Sequence, residues 1–344
     1  MQTLKIAITV DPELPVPPRH YGGIERMVDL LVRGLAEQGH SVTLFAHRDS
    51  LVPCNLVAYS GKVSGSWSDT LRNMTRIAGL LSHQKFDLVH SFGRLLYLLP
   101  LLPRRLPKLM SYQRHVHPPS VSWGHRLSGG SLQFTSCSRQ MIQAVEGLGS
   151  WHVIYNGVCP GQYDFRPLVA PDAPLVFLGR IEHIKGPHLA IEAARRAGRR
   201  LVIAGNVPDE ARHRSYFETE IRPHVDGDRV CFAGPVDDGG KNALLGQASA
   251  LLMPILWEEP FGIVMAEALA CGTPVIGLRR GSVPEVVQEG VNGFVCDTAA
   301  GLALAVERLG EIDRAACRRS MEERFSSPVM VDAYLRVYAK LLGL

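Results

Sequence analysis

Residues 250–277 read ALLMPILWEEPFGIVMAEALACGTPVIG, a strand, a loop, a helix and a second strand in succession. The run 250–255 lacks the polar alternation of a half-wetted strand, so it reads as a strand buried on both faces of a parallel sheet. Pro260 keeps the residue before it out of helical geometry, whereas 263–271 is rich in helix formers. The helix therefore begins near Phe261 and Gly262, and Pro274-Val-Ile-Gly277 forms the next strand.

This grammar places two glutamates around a helix start. Glu259 lies on the loop at the strand's carboxyl end and Glu267 inside the helix. Between them the first-turn N–H groups, from Gly262, Ile263 and Val264, have no helical acceptor and form a seat for phosphate. At 1.5 Å of rise per residue, the helical carboxylate sits roughly 7 Å beyond them. One acid on each side of a phosphate seat suits a ligand with hydroxyls at both ends, as in a nucleotide diphosphate sugar. The blander reading is a loop carboxylate and a solvated helical glutamate.

Both halves of the chain repeat this alternation of strand and helix, the mark of parallel sheets. In the first half strands are predicted at 4–10, 42–46, 87–91, 108–112, 132–135 and 152–155, with helices at 24–38, 69–83 and 138–146. In the second, strands are predicted at 175–179, 201–204, 229–232, 250–254, 274–277 and 293–296. Helices there fit 187–197, 209–224, 242–248 and 261–271. The expected organisation is a domain over 1–157, a Gly- and Pro-rich linker over 158–173, a second domain over 174–327, and a helix over 328–344. The fold class is α/β, with two doubly wound Rossmann-like domains facing across a cleft and the ligand at the strands' carboxyl ends.

Composition limits the partners. The 344 residues are 46% hydrophobic and 20% charged, with a formal net charge of only +4 and no block of like charge. Two packed cores are within reach, and nucleic-acid binding is not indicated. Seven dispersed cysteines, without C-x-x-C or zinc spacing, fit a reducing cytoplasm and predict no metal site. The opening residues lack the apolar length of a signal peptide. The longest apolar run, 95–102, is too short to span a bilayer. Arg104, Arg105 and Lys108 follow it, so the expectation is a helix buried against the sheet with at most peripheral membrane contact. Oligomeric state is not legible.

The segment E-P-F-G-x-x-x-x-E-A-x-A-C-G-T-P-V, residues 259–275, resembles the signature of the retaining family 4 glycosyltransferases, which have the GT-B fold. The resemblance extends over nearly the whole chain and is strongest from Gly179 to Asp297. In its details, P-V-P-P-x-x-Y-G-G-I-E-R and W-x-E-P-F-G, it is closest to the bacterial branch acting on small molecules and natural products. Through it, Glu259 is expected to hold sugar hydroxyls, Phe261 and Gly262 the sugar and phosphate region, and Glu267 the ribose hydroxyls.

Gly179-Arg180 leaves one strand and Lys185 opens the following helix, matching the family's diphosphate-binding G-R-x-x-x-x-K-G. A planar Arg grips phosphate oxygens in pairs, while Lys acts as a point charge. Together they would neutralise the departing diphosphate without a metal or a cofactor, the nucleotide sugar being a substrate. A surface Arg and a helix-start Lys are the plain alternative. Tyr21-Gly22-Gly23 follows the first strand after a Pro-rich loop. By resemblance, Gly22 frames the acceptor and Gly23 touches the donor phosphate, whereas the residues alone describe a turn. Where relatives carry T-x-H, this chain has Ser111-Tyr-Gln113, with His115 and His117 close by, so any of Gln113, His115 and His117 can donate to a sugar hydroxyl. His90, ending a strand, fits acceptor contact and core packing equally.

The expected activity is transfer of a hexose from a nucleotide diphosphate sugar, UDP-glucose or similar, to a hydroxyl of a small molecule, glycan or lipid, with retention. Two rivals share the architecture: a nucleotide-sugar epimerase and a non-catalytic nucleotide-sugar-binding module. A nicotinamide enzyme lacks its glycine fingerprint here.

Overall fold

The structure, a computed structural model, describes residues 3–19 and 22–344. The chain divides into two compact units, Met1–Gly157 with Ser327–Leu344, and Val158–Ser326.

The first unit is built on seven parallel strands: β1 (Lys5–Thr9), β2 (Ser41–Ala46), β3 (Asn55–Ala58), β4 (Leu88–Ser91), β5 (Lys108–Tyr112), β6 (Leu132–Ser136) and β7 (Trp151–Val153). Their order is β3-β2-β1-β4-β5-β6-β7. Helices cover both faces, which is why β1, β2 and β4 are almost continuously buried rather than alternating. The helix Gly23–Glu37 turns Met27, Val28, Leu31, Val32 and Leu35 inward at the spacing of one helical face. The terminal helix Ser327–Leu342 packs against it. At Gly34 the two are so close that an added Cβ would lie 2.6 Å from Val331 Cγ2.

The second unit holds β8 (Leu175–Leu178), β9 (Leu201–Ala204), β10 (Val230–Gly234), β11 (Ala250–Met253), β12 (Val275–Leu278) and β13 (Gly293–Cys296). They are parallel, in the order β10-β9-β8-β11-β12-β13. The winding reverses between β8 and β11. At such a point the loops leaving two adjacent strands diverge to opposite faces and open a crevice at their carboxyl ends.

Several expectations are corrected. Segment 138–146 forms only a 3-10 turn, Gln140–Val145, and the apolar run forms another, Leu95–Leu101, with Pro100 inside it. The helix expected over 209–224 is α-helical only over Ala211–Tyr216. It continues as a π turn and a 3-10 turn, where Pro223 removes a backbone donor. Strand β3 and the helices Pro118–Ser128, Ala299–Glu307 and Arg314–Arg324 were not foreseen. Segment 158–173 is fastened to the second unit. Val158 N–H donates to Phe325 O at 2.8 Å, Arg166 N–H donates to Cys271 O at 3.0 Å, and Arg318 Nη1 donates to Tyr163 O at 3.1 Å.

Candidate functional site

The loops leaving β8 and β11 meet at the reversal point of the second sheet. Leu256 N–H donates to Ile184 O at 2.8 Å and staples one loop to the other. The pairing carries Lys185, at the end of the turn after β8, to Glu259. Lys185 Nζ lies 2.5 Å from Glu259 Oε2, and the same oxygen accepts Trp257 Nε1–H at 3.0 Å. The ammonium also rests 4.6 Å from the centre of the Trp257 ring. Glu259 is only 8% exposed, so a charge that would be costly if isolated is matched on its own loop cluster. Arg180, at the end of β8, pairs with the buried Glu182 at 2.9 Å.

Three features hold Glu259 in place. Gly262 takes the left-handed conformation, φ 68°, and turns the chain into the helix Ile263–Ala270. An added Cβ there would come within 2.9 Å of Met253 Cε and 3.3 Å of Glu259 Cγ. Gly281, after β12, lets the two backbones approach so closely that a Cβ would sit 2.3 Å from Glu259 N. Ser282 then donates its N–H to Glu259 O at 3.0 Å and its hydroxyl to Phe261 O at 2.8 Å. The Phe261 ring is buried edge-on to Phe325.

At the start of the helix, Gly262 O already accepts from Met265 N–H, while the N–H groups of Ile263 and Val264 precede any helical acceptor. Glu267 follows one turn along and is 6% exposed. Its Oε1 accepts the Tyr163 hydroxyl at 2.8 Å and Lys241 Nζ at 2.5 Å. Burial, aided by the Glu267 charge, pushes the Cys271 thiol up to about 12, so this neighbouring sulfur stays protonated. Gly179, Arg180, Lys185, Glu259, Phe261, Gly262, Ile263, Val264 and Glu267 thus all lie on the two loops and one helix of this crevice.

Sequence reasoning missed Trp257, Tyr163 and Lys241. The Lys185–Glu259 contact had a usable signal, since a doubly wound order sets the first and fourth strands side by side.

In the first unit the candidates do not form one group. Gly22 precedes the helix Gly23–Glu37, and an added Cβ would lie 2.7 Å from Pro18 Cβ and 2.9 Å from Glu25 Oε2. Tyr21 lies outside the described residues. Gln113 is half-buried and His115 and His117 are exposed. The His117 carbonyl accepts Ser120 N–H at 3.0 Å and Ser120 Oγ–H at 2.7 Å at the start of the helix Pro118–Ser128. His90 is corrected from a possible acceptor contact to a core residue. It is fully buried, with Nδ1 2.6 Å from the Tyr338 hydroxyl and Nε2 2.6 Å from Ser111 Oγ. Burial lowers its pKa to about 3, so the ring is neutral.

Comparison with known proteins gives this geometry its family. Residues 21–162 match the model described as Glycosyltransferase Family 4, and residues 166–324 match that of Glycosyl transferases group 1. The chain belongs to glycosyltransferase family 4. The chain is 34% identical over 226 residues to a glycogen synthase of Mycobacterium tuberculosis, a match covering 61% of the chain and 52% of the relative. The chain thus spans about half the length of that curated relative.

Among solved structures, it is similar to AviGT4, a glycosyltransferase involved in avilamycin A biosynthesis. The TM-score is 0.76 at 25% identity, covering 99% of this chain and 98% of the other. Anabaena HepE, solved with UDP-glucose, superimposes with a TM-score of 0.73 at 18% identity, covering 98% and 100% of the two chains. The fold of this family 4 glycosyltransferase is GT-B, two Rossmann-like α/β units. No helix among the described residues is long and apolar enough to cross a membrane.

Proposed function

We propose that this family 4 glycosyltransferase transfers a hexosyl group from a UDP-hexose to an acceptor hydroxyl, with retention of anomeric configuration and without a metal ion. The observation that carries the reading is the Lys185–Glu259 pair beside the start of the helix Ile263–Ala270, with Glu267 one turn along.

In this reading the diphosphate lies on the N–H groups of Ile263 and Val264, where the partial positive charge of a helix start favours an anion. Glu259 accepts from sugar hydroxyls and Glu267 from the ribose. Lys185 has three N–H donors, so it can keep Glu259 and still reach a phosphate oxygen. Arg180 supplies the second cation. As the bond from the anomeric carbon to the phosphate oxygen breaks, negative charge grows on the diphosphate, and these groups stabilise it more than the intact donor. The acceptor oxygen attacks from the same face and its proton passes to the departing phosphate oxygen, which retains configuration. Two fixed cations and the helix start supply the charge that a metal would otherwise bring.

UDP-glucose is the first donor to try, because the HepE neighbour was solved with it. Acceptor contacts are proposed for the first-unit loop that carries Gln113, His115 and His117, and separately for Gly22 at the start of the helix Gly23–Glu37. The seven free thiols fit a cytoplasmic protein.

The test is calorimetric titration of metal-free protein with UDP, GDP and ADP, for wild type, Arg180→Ala and Glu267→Ala, followed by NMR of the anomeric product. Micromolar binding of UDP, lost in both variants, and an unchanged anomeric configuration are expected. Folded protein that binds none of the three nucleotides would overturn the donor assignment. Conversion of UDP-glucose to another UDP-hexose without acceptor would make the protein an epimerase.

A further inference from the structure

Glu267 is held in an unusual manner for a carboxylate that must accept hydrogen bonds from a ligand. Among the described residues, both bonds to its side chain end on one oxygen. Lys241 Nζ lies 2.5 Å from Oε1 and the Tyr163 hydroxyl 2.8 Å from it. Oε2 is therefore the oxygen left to accept from a ligand.

The two donors are themselves fastened. Lys241 sits on the helix Asp238–Gln247, which is capped by Asp237 through Gly240 N–H at 2.7 Å. Its neighbour Asn242 exchanges two bonds with Asp164. Asp164 N–H donates to Asn242 Oδ1 at 3.0 Å, and Asn242 Nδ2 donates to Asp164 Oδ2 at 3.1 Å. This reciprocal pair fixes Tyr163 beside Lys241, whose ammonium lies 5.8 Å from the centre of the Tyr163 ring. Two separate segments thus converge on one carboxylate oxygen of a third.

The side chains of Lys241 and Glu267 are 13% and 8% exposed, so the pair lies largely out of water. A terminal carboxylate torsion is otherwise broad and loosely two-fold. Two fixed donors on Oε1 select one orientation of the carboxylate. An orientation fixed before binding spares the ligand the cost of ordering it.

We infer that Lys241, assisted by Tyr163, is the positioning residue that makes Glu267 discriminate a ribonucleotide from a nucleotide lacking its sugar hydroxyls. This rests on the reading that Glu267 accepts from ribose. Lys241 touches neither donor nor acceptor in this scheme. It acts only through the carboxylate.

The experiment compares the affinity of the full chain for UDP and for 2′,3′-dideoxy-UDP by calorimetry, in wild type, Lys241→Met, Lys241→Arg and Tyr163→Phe. A hydrogen bond to a charged acceptor predicts that wild type prefers UDP by about ten- to hundredfold. In Lys241→Met that preference falls to within about threefold, while affinity for the dideoxy compound stays nearly constant. Lys241→Arg restores part of the preference, and Tyr163→Phe, which leaves the ion pair in place, loses part of it.

A full wild-type preference retained in Lys241→Met overturns the inference and leaves the ribose reading intact. If Lys241→Met does not fold, an unchanged preference in Tyr163→Phe overturns it instead. No preference in wild type, or no UDP binding, overturns the ribose reading and the inference with it.

Discussion

Lys185 and Glu259 lie 74 positions apart and meet at 2.5 Å, each on the loop that leaves one of two adjacent strands. The contact exists because β8 and β11 are neighbours at the reversal of the second sheet. Both partners are mostly buried, so neither can be removed without leaving the other's charge poorly solvated.

Lys185→Ala is therefore expected to destabilise the second unit by about 3 kcal/mol, the range for breaking a buried pair. Lys185→Ala with Glu259→Ala should recover part of that loss while remaining inactive. Thermal unfolding of the two variants beside Glu259→Ala gives the coupling. An additive double variant would mean that the pair is not coupled in solution.

Gly281→Ala should cost more than Gly262→Ala. At Gly281 the new Cβ meets the Glu259 backbone at 2.3 Å, whereas at Gly262 its nearest neighbours are methionine methyl groups that can swing aside. Both carry the penalty of a left-handed φ, of order 1 kcal/mol. Nucleotide affinity measured for each should fall furthest in Gly281→Ala, because only that change displaces the loop bearing Glu259.

His90 predicts an acid-sensitive first unit. Its folded pKa is lowered to about 3, against an ordinary value of 6.5, so below pH 6.5 the unfolded chain binds a proton that the native ring refuses. Its neutral burial is fully compatible with stability above pH 6.5. Between about pH 6 and 3 it costs about 1.4 kcal/mol per pH unit. Melting curves from pH 7 to 4 should show a shallower decline in His90→Gln than in wild type. Equal slopes would refute the assignment.

Gly34→Ala should loosen the helix Ser327–Leu342, because its Cβ would strike Val331 Cγ2 at 2.6 Å. Overpacking of this kind costs about 1–3 kcal/mol. Val331→Ala in the same chain should restore much of the loss. Limited proteolysis is the readout, with faster cleavage near Ser326 in the single variant and near-normal resistance in the double.

What the sequence revealed follows from how local each signal was. Apart from β3, the strands of both sheets were legible because strands covered on both faces need short apolar runs, as at Leu201–Ala204 and Ala250–Met253. Strand Asn55–Ala58 has a comparable apolar stretch, Leu56-Val-Ala58, but it is an edge strand, exposed at Asn55 and only half-buried beyond it. The helix Pro118–Ser128 opens on two prolines and offers little apolar periodicity beyond Val121. Glu259 and Glu267 were legible because one loop and one helix carry both. Their partners were not, since Lys241 and Tyr163 stand 26 and 104 positions from Glu267. His90 was ambiguous for the same reason, its Tyr338 partner lying 248 positions downstream.

The distance between His90 and Tyr338 has a consequence for biosynthesis. The ring sits at the end of β4, in the first quarter or so of the chain, yet two of its aromatic neighbours, Tyr334 and Tyr338, belong to the helix Ser327–Leu342. A ribosome delivers β1 to β7 and then the whole of Val158–Ser326 before that helix emerges. At about 5–20 residues per second, the wait from Gly157 to Ser327 lasts roughly 10–30 seconds. Throughout that interval the nascent first unit lacks the two rings that Tyr334 and Tyr338 place against His90, while the second unit is still being made. The first unit is thus synthesised well before the helix that completes its core.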